Sequence, residues 1–325
     1  MMTENLLGID IGGTKCAVIY GKQEGDSLRI VEKVKFATTD VHETIAQICT
    51  ELLAMMSRHG LTAANTGAVG ISCGGPLDAE KGIVMSPPNL PGWDNIPFVS
   101  IVEQKTGIKA SLQNDANACA LAEYLFGAGR GCRNMVFLTF GTGLGAGIVL
   151  NGKLYEGTNG NAGELGHIRL APDGPVGYGK RGSFEGFCSG GGIAQLAQKF
   201  VSEAYEAGRT VAWCAPEDIP HVTALMVAKA ANEGDALALQ IFRTSSEYLG
   251  MGLSMVVDIL NPDRIVIGSI YARNEQLMRP IVESVMRREA LEPANEVCRV
   301  VPAALGEQIG DYAALSVAAD LHRDR

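Results

Sequence analysis

Two stretches of the chain repeat one pattern, LLGIDIGGTKCAVIYGK at residues 6–22 and VFLTFGTGLGAGIVLNGK at residues 136–153. Each reads as an apolar β-prone run, a glycine turn, a second apolar run and then Gly-Lys (Gly21-Lys22 and Gly152-Lys153). A strand, glycine turn and strand make a hairpin whose turn can aim several backbone N–H groups at one anion, so phosphate is held with few cations. Two copies about 130 residues apart point to two related α/β halves, each offering a glycine hairpin to a ligand. The alternative is a pair of unrelated structural hairpins that share only glycine.

Beyond the second hairpin lie another glycine-rich loop, Gly157–Gly163, and then Glu164 and His167. A phosphate cradle followed by a carboxylate and an imidazole suits phosphoryl transfer. The 325 residues suffice for about two domains. A net charge of −9 argues against a nucleic-acid surface, and leaves anionic substrates to local dipoles or to Mg²⁺. No apolar run approaches the ~18 residues of a membrane span, and no basic leader precedes the first strand. The eight cysteines include no C-x-C or C-x-x-C pair, and Cys16, Cys49, Cys73 and Cys119 sit in apolar surroundings as small hydrophobes. The expected location is the cytoplasm.

Strands alternate with helices along the chain, which predicts an α/β fold with mostly parallel sheets. Asp40 and Glu43 form a capping pair ahead of a helix carrying Ile45, Ile48, Leu52 and Met55. Met85–Trp93 is an irregular loop because it holds three prolines, and Trp93 either walls a pocket or packs. Asn114-Asp115 stands where the strand Ala110–Gln113 hands over to the helix Ala116–Phe126, a position open both to a helix cap and to a catalytic carboxylate. Helices are expected at about 191–207, 222–233, 236–260, 275–289 and 310–321, with strands at 264–268 and 297–301.

Four segments then stand in order: Asp10-Ile11-Gly12-Gly13-Thr14-Lys15, Asn114-Asp115-Ala116-Asn117-Ala118, Phe140-Gly141-Thr142-Gly143-Leu144-Gly145 and Gly163-Glu164-Leu165-Gly166-His167. Together they resemble the ROK family of sugar kinases and sugar-responsive repressors, within the actin-like ATPase superfamily, over essentially the whole chain. The resemblance implies two ribonuclease-H-like domains with a cleft between them, the smaller spanning 1–118 plus the C-terminal helix 307–325 and the larger 119–306. It implies ATP and Mg²⁺ as cofactors, with Asp10 near the Mg²⁺, Gly12, Gly13, Thr14 and Lys15 in the first phosphate loop, and Gly141, Thr142 and Gly143 in the second. Asn114 would bind the sugar and Asp115 would be the catalytic base. Glu164, His167 and Glu185 would hold sugar hydroxyls, Gly75 and Asn89 would line the same pocket, and Gly268 would mark the adenosine side.

The implied activity is transfer of the γ-phosphoryl of ATP to a hydroxyl, the primary 6-hydroxyl, of a glucose-like hexose. Alternatives are an N-acetylmannosamine or N-acetylglucosamine kinase, and a non-catalytic sugar sensor or repressor. Only nine residues precede Asp10, too few for a helix-turn-helix segment, and Asp115 is present, so an enzyme is expected. Its partners are then small molecules, the sugar and ATP, with no nucleic acid and no membrane, and the family favours a homodimer. Family members carry zinc on the histidine of G-E-x-G-H and the three cysteines of C-x-C-G-x-x-G-C-x-E. Here those cysteine positions fall on Val176, Tyr178 and Ser183, so no zinc is expected. The loop Gly174–Glu185 is instead expected to be held by packing of Val176, Tyr178 and Phe184.

Overall fold

The apolar run that ends at Asp10 is the central strand of a five-stranded sheet in the computed structural model, which describes residues 3–323. In order across the sheet the strands are Ser27–Ala37, Lys15–Glu24, Thr3–Ile11, Thr66–Cys73 and Ala110–Asn114. The first three are antiparallel neighbours and the last two join in parallel. The expectation of mostly parallel sheets is corrected here. Gly12–Thr14 and Gly25–Asp26 are turns too short for a crossover, and only antiparallel strands can be joined that way.

Both faces of this sheet are covered. Helix Val41–His59 lays Ile48, Leu52 and Met55 on one face, all fully buried, each worth roughly 1.5–3 kcal/mol. Asp40 caps it by accepting from the His42 N–H at 2.8 Å, and Gly60 ends it in the left-handed region. Helix Ile309–Arg323 covers the other face, with Ala314, Leu315 and Ala318 against Leu6, Ala17 and Ile19. A side chain at Gly70 would collide with the Ala314 carbonyl, so a glycine in mid-strand sets how closely this helix docks. Trp93 is fully buried and packs on Phe98 at 5.8 Å between ring centres, which makes it core.

The chain forms two compact units. The first runs to Cys132, includes Gly147–Ala162 and resumes at Ala304; the second comprises Arg133–Ala146 and Gly163–Ala303. The division expected at residue 118 would cut helix Asp115–Phe126, which lies whole in the first unit. The second unit is built on three parallel strands, Met135–Leu138, Arg264–Ile267 and Arg299–Pro302. Around them run helices Gly190–Glu206, Ala224–Asn232, Ala236–Leu260 and Glu275–Glu289. The last strand starts two residues later than expected because Glu292–Val297, with Pro293 in its first turn, is a short helix.

Candidate active site

In the first unit the expected residues gather where parallel strands end. Asp10 pairs with Ser72 across the sheet and Cys73 with Asn114, so these strand ends deliver Asp10, Gly75 and Asn114-Asp115 to one rim. Asn114 is the N-cap of helix Asp115–Phe126: its Oδ1 accepts from the Ala116 N–H at 2.9 Å. Asp115 Oδ1 accepts from the same N–H at 2.8 Å. A Cβ on Gly75 would lie 3.3 Å from Asn114 Nδ2. The first glycine turn is closed by the Gly12 N–H donating to the Lys15 carbonyl at 3.1 Å and by Thr38 Oγ1 donating to the Gly12 carbonyl at 2.6 Å. A Cβ on Gly13 would stand 2.6 Å from the Asn89 carbonyl oxygen, so the irregular proline loop closes directly on this turn. Thr14 and Lys15 are exposed beside it.

The electrostatics of this rim were not legible in the sequence. Burial raises the Asp10 carboxyl from its ordinary 3.8 to about 6, helped by the charges of Asp311 and Asp115 and opposed by Lys33 and Lys35. Lys33, on strand Ser27–Ala37, pairs with Asp311 at the start of the terminal helix. Asp115 keeps an exposed edge while protein atoms crowd its other sides, and that desolvation holds its carboxyl above the usual range. Excess negative charge in a crowded site is what a divalent cation neutralises. Among the described residues no group of three His, Cys, Asp or Glu side chains is placed to hold a metal. Asp10, with Asp115 and Asp311 near enough to repel it, fits a cation whose other ligands are phosphate oxygens and water, as those of Mg²⁺ on ATP are. Asp10 would hold it.

Asp10 carries a sign that can be checked. Its pKa is raised by folding, so its protonation contributes stability that is complete below about 3.8 and lost as pH rises through about 6. Asp10→Asn is expected to melt above the parent chain at pH 8, by up to about 3 kcal/mol, with the difference vanishing near pH 4. Melting curves across that range check it, and an equal or lower melting temperature at pH 8 overturns it.

In the second unit the turn after Met135–Leu138 is held by the Thr139 N–H on the Gly145 carbonyl, the Gly145 N–H on Thr139 Oγ1 and the Gly141 N–H on the Gly143 carbonyl, each at 2.9 Å. The N-terminus of helix Gly190–Glu206 supports it, with the Gly190 N–H donating to the Gly141 carbonyl at 2.8 Å. Gly268 is buried beside this turn, and a Cβ on Gly141 would lie 3.7 Å from Ser269 Oγ. Phe140 and Ser269 flank it with φ of 33° and 45°, left-handed values that cost a non-glycine residue roughly 1–2 kcal/mol. Strain held on both sides of one turn is the kind that functional loops store.

Glu164 and His167 are exposed on the short 3₁₀ turn Leu165–His167. Glu185, in the one-turn helix Phe184–Phe187, is brought to them by close packing: a Cβ on Gly166 would lie 3.3 Å from the Glu185 Cβ. Glu185 also reaches the glycine turn, where its Oε2 accepts from the Leu144 N–H at 2.9 Å.

The expected packing of the loop 174–185 is corrected. Tyr178 is 82% exposed and Val176 38% exposed; only Phe184 is buried. The loop is held instead by polar bonds. Val176–Gly177 pairs with Lys180–Arg181 as a small hairpin. Gln195 clasps Val176, its Oε1 accepting from the N–H at 2.8 Å and its Nε2 donating to the carbonyl at 2.9 Å. Buried Ser183 caps Phe184–Phe187 by accepting from the Gly186 N–H at 3.0 Å. The position of the family's third cysteine is thus a helix cap. The residues present do not fit zinc, since valine and an exposed tyrosine supply no ligand and His167 is alone. A chelator added with Mg²⁺ in excess is expected to leave the melting temperature unchanged; a fall of several degrees would reverse this.

The ROK family model matches residues 6–321. The chain belongs to the ROK family. Its fold is accordingly that of the actin-like ATPases, α/β with two domains. It is 31% identical over 320 residues to a glucokinase of Streptomyces coelicolor, covering 98% of this chain and 97% of that one. It superimposes on the ROK family glucokinase of Streptomyces griseus, solved with glucose and AMPPNP, with a TM-score of 0.73 and 30% identity, covering 99% of this chain and all of that one. It is also 31% identical to a xylose repressor of Caldicellulosiruptor bescii, covering 82% of this chain and 65% of that protein.

Proposed function

We propose that the chain, a sugar kinase of the ROK family, transfers the γ-phosphoryl of ATP to the primary 6-hydroxyl of a glucose-like hexose. The observation that carries this reading is the Asn114-Asp115 pair at the head of its helix, with the acidic Asp10 close enough for the two carboxylates to repel. A sugar hydroxyl is a poor nucleophile, and Asp115 accepts its proton as the new bond to phosphorus forms. The raised carboxyl of Asp115 brings its basicity closer to working pH than that of a solvated aspartate. Asn114 binds the sugar, and Gly75 and Asn89 line its pocket.

Glu164, His167 and Glu185 accept or donate hydrogen bonds at sugar hydroxyls, which rejects a substrate lacking one more strongly than apolar walls could. The turns Gly12–Lys15 and Gly141–Gly143 take the phosphates through backbone N–H groups other than those of Gly12 and Gly141, which close the turns, and Gly268 faces the adenosine. Bound Mg²⁺, held near Asp10, supplies neutralisation of the phosphate charge. The resemblance to kinases supports a homodimer, and the buried free cysteines suit a reducing cytoplasm.

A coupled ADP-release assay over a dozen hexoses and amino sugars tests the reading. Turnover highest on glucose supports it. Highest turnover on N-acetylmannosamine or N-acetylglucosamine moves the substrate class, and no ADP from any sugar returns the chain to the sensors.

A further inference from the structure

Glu185 is enclosed by glycines drawn from four separate segments. A Cβ on Gly143 would lie 2.7 Å from its Oε2, and one on Gly177 2.7 Å from its Cβ. One on Gly166 would lie 3.3 Å from its Cβ, and one on Gly192 3.0 Å from its carbonyl oxygen. Its Oε2 accepts the Leu144 N–H at 2.9 Å, inside the second glycine turn. The half-buried carboxylate therefore already bonds the backbone of the turn that is read as taking phosphate. In the other unit Gly13 of the first turn also lies close to a residue assigned to the sugar, there against the backbone carbonyl and Cβ of Asn89. Glycine at 143 makes room for a carboxylate, whatever it also does for phosphate.

We propose that Glu185 is a positioning residue for the second glycine turn, and that it couples sugar binding to nucleotide binding through the Leu144 N–H. This rests on the kinase reading above. A sugar hydroxyl donating to Glu185 fixes the rotation of its carboxylate. That fixes the Leu144 N–H and with it the shape of the Gly141–Gly145 turn. Nucleotide then meets a turn already ordered, and the ordering entropy is not charged again to its binding. Because the coupling is an equilibrium property, nucleotide raises sugar affinity by the same factor.

The test is a binding cycle by calorimetry, with AMPPNP, Mg²⁺ and the hexose of highest turnover, each titrated alone and in the presence of the other. In the parent chain each ligand is expected to tighten the other by about 5–50-fold. Glu185→Ala is expected to abolish the mutual factor, leaving AMPPNP binding with or without sugar the same. Glu185→Gln keeps an acceptor oxygen for Leu144 and is expected to restore part of the factor. Gly143→Ala, which crowds Oε2, is expected to weaken sugar as well as AMPPNP. Full coupling in Glu185→Ala, equal loss in Glu185→Gln, or a Gly143→Ala defect confined to AMPPNP would each overturn the proposal. Independent binding of both ligands to the parent chain also overturns it while leaving the kinase reading intact. Failure of the parent chain to bind AMPPNP at all sinks the kinase reading instead.

Discussion

Asp115→Asn is expected to lower kcat by roughly 10²–10⁴-fold while leaving the fold and the sugar affinity close to those of the parent chain. The substitution keeps the size of the side chain and an oxygen that can accept the Ala116 N–H. It removes only the capacity to take a proton from the attacking hydroxyl. Two residues share that N–H, Asn114 at 2.9 Å and Asp115 at 2.8 Å, so the helix stays capped by Asn114 when Asp115 changes. Removing the charge also relieves its repulsion of Asp10, which favours an unchanged or higher melting temperature. Rate and stability must therefore separate. Steady-state kinetics on the best sugar, beside thermal melts, reads both. Near-normal turnover would remove Asp115 as the base, and a fall in melting temperature of more than about 5 °C would make it a structural cap; domains of this size lose about 2–4 °C per kcal/mol.

What the sequence disclosed was local chemistry. The hairpin turns at Gly12–Thr14 and Gly141–Gly145 and the Asp40 cap depend on residues within a few positions of one another and formed as the spacing implied, while the cap expected of the Asp115 carboxylate falls one residue earlier, on Asn114. What it hid was long-range. Nothing near Lys33 announces that Asp311 is its partner 278 residues on, and nothing near Leu144 announces Glu185. In the loop 174–185 the family pattern marks only the positions of the missing cysteines, Val176, Tyr178 and Ser183, and is silent on what holds the loop in their place. Ser183, followed three residues later by the Gly186 N–H it accepts, is itself a helix-cap signature. Tyr178 looked like a packing residue by type, yet it sits at φ 43° on a hairpin tip where the backbone turns its ring outward. Residue type sets a preference for burial; the position in the turn decides whether burial is reachable.

Glu123→Ala is expected to cost about 3–5 kcal/mol of stability, although the side chain lies far from the glycine turns. Glu123 is fully buried near the end of helix Asp115–Phe126, where a carboxylate is costly unless it is fully bonded. Its Oε2 accepts the Ala128 N–H at 2.7 Å and the Ala304 N–H at 3.1 Å, and its Oε1 accepts the Leu305 N–H at 2.9 Å. Alanine leaves three backbone donors without this partner, each worth about 1–3 kcal/mol when buried and unpaired. Part of that is recovered because water reaches all three residues: Ala304 is exposed, and Ala128 and Leu305 are not fully enclosed. Glutamine keeps one oxygen but turns an NH₂ group toward a backbone N–H, so it should fall between glutamate and alanine. Ala304 is where the chain re-enters the first unit, just before the helix that carries Asp311 and covers the sheet. Loosening this staple should therefore reach Asp10 through the Lys33–Asp311 pair, and kcat should drop with stability in the order Glu, Gln, Ala. Urea unfolding of the three proteins measures the first effect and kinetics the second. A Glu123→Ala variant within 1 kcal/mol of the parent would show that the three N–H groups find other partners, and that the re-entry is held by apolar contacts alone.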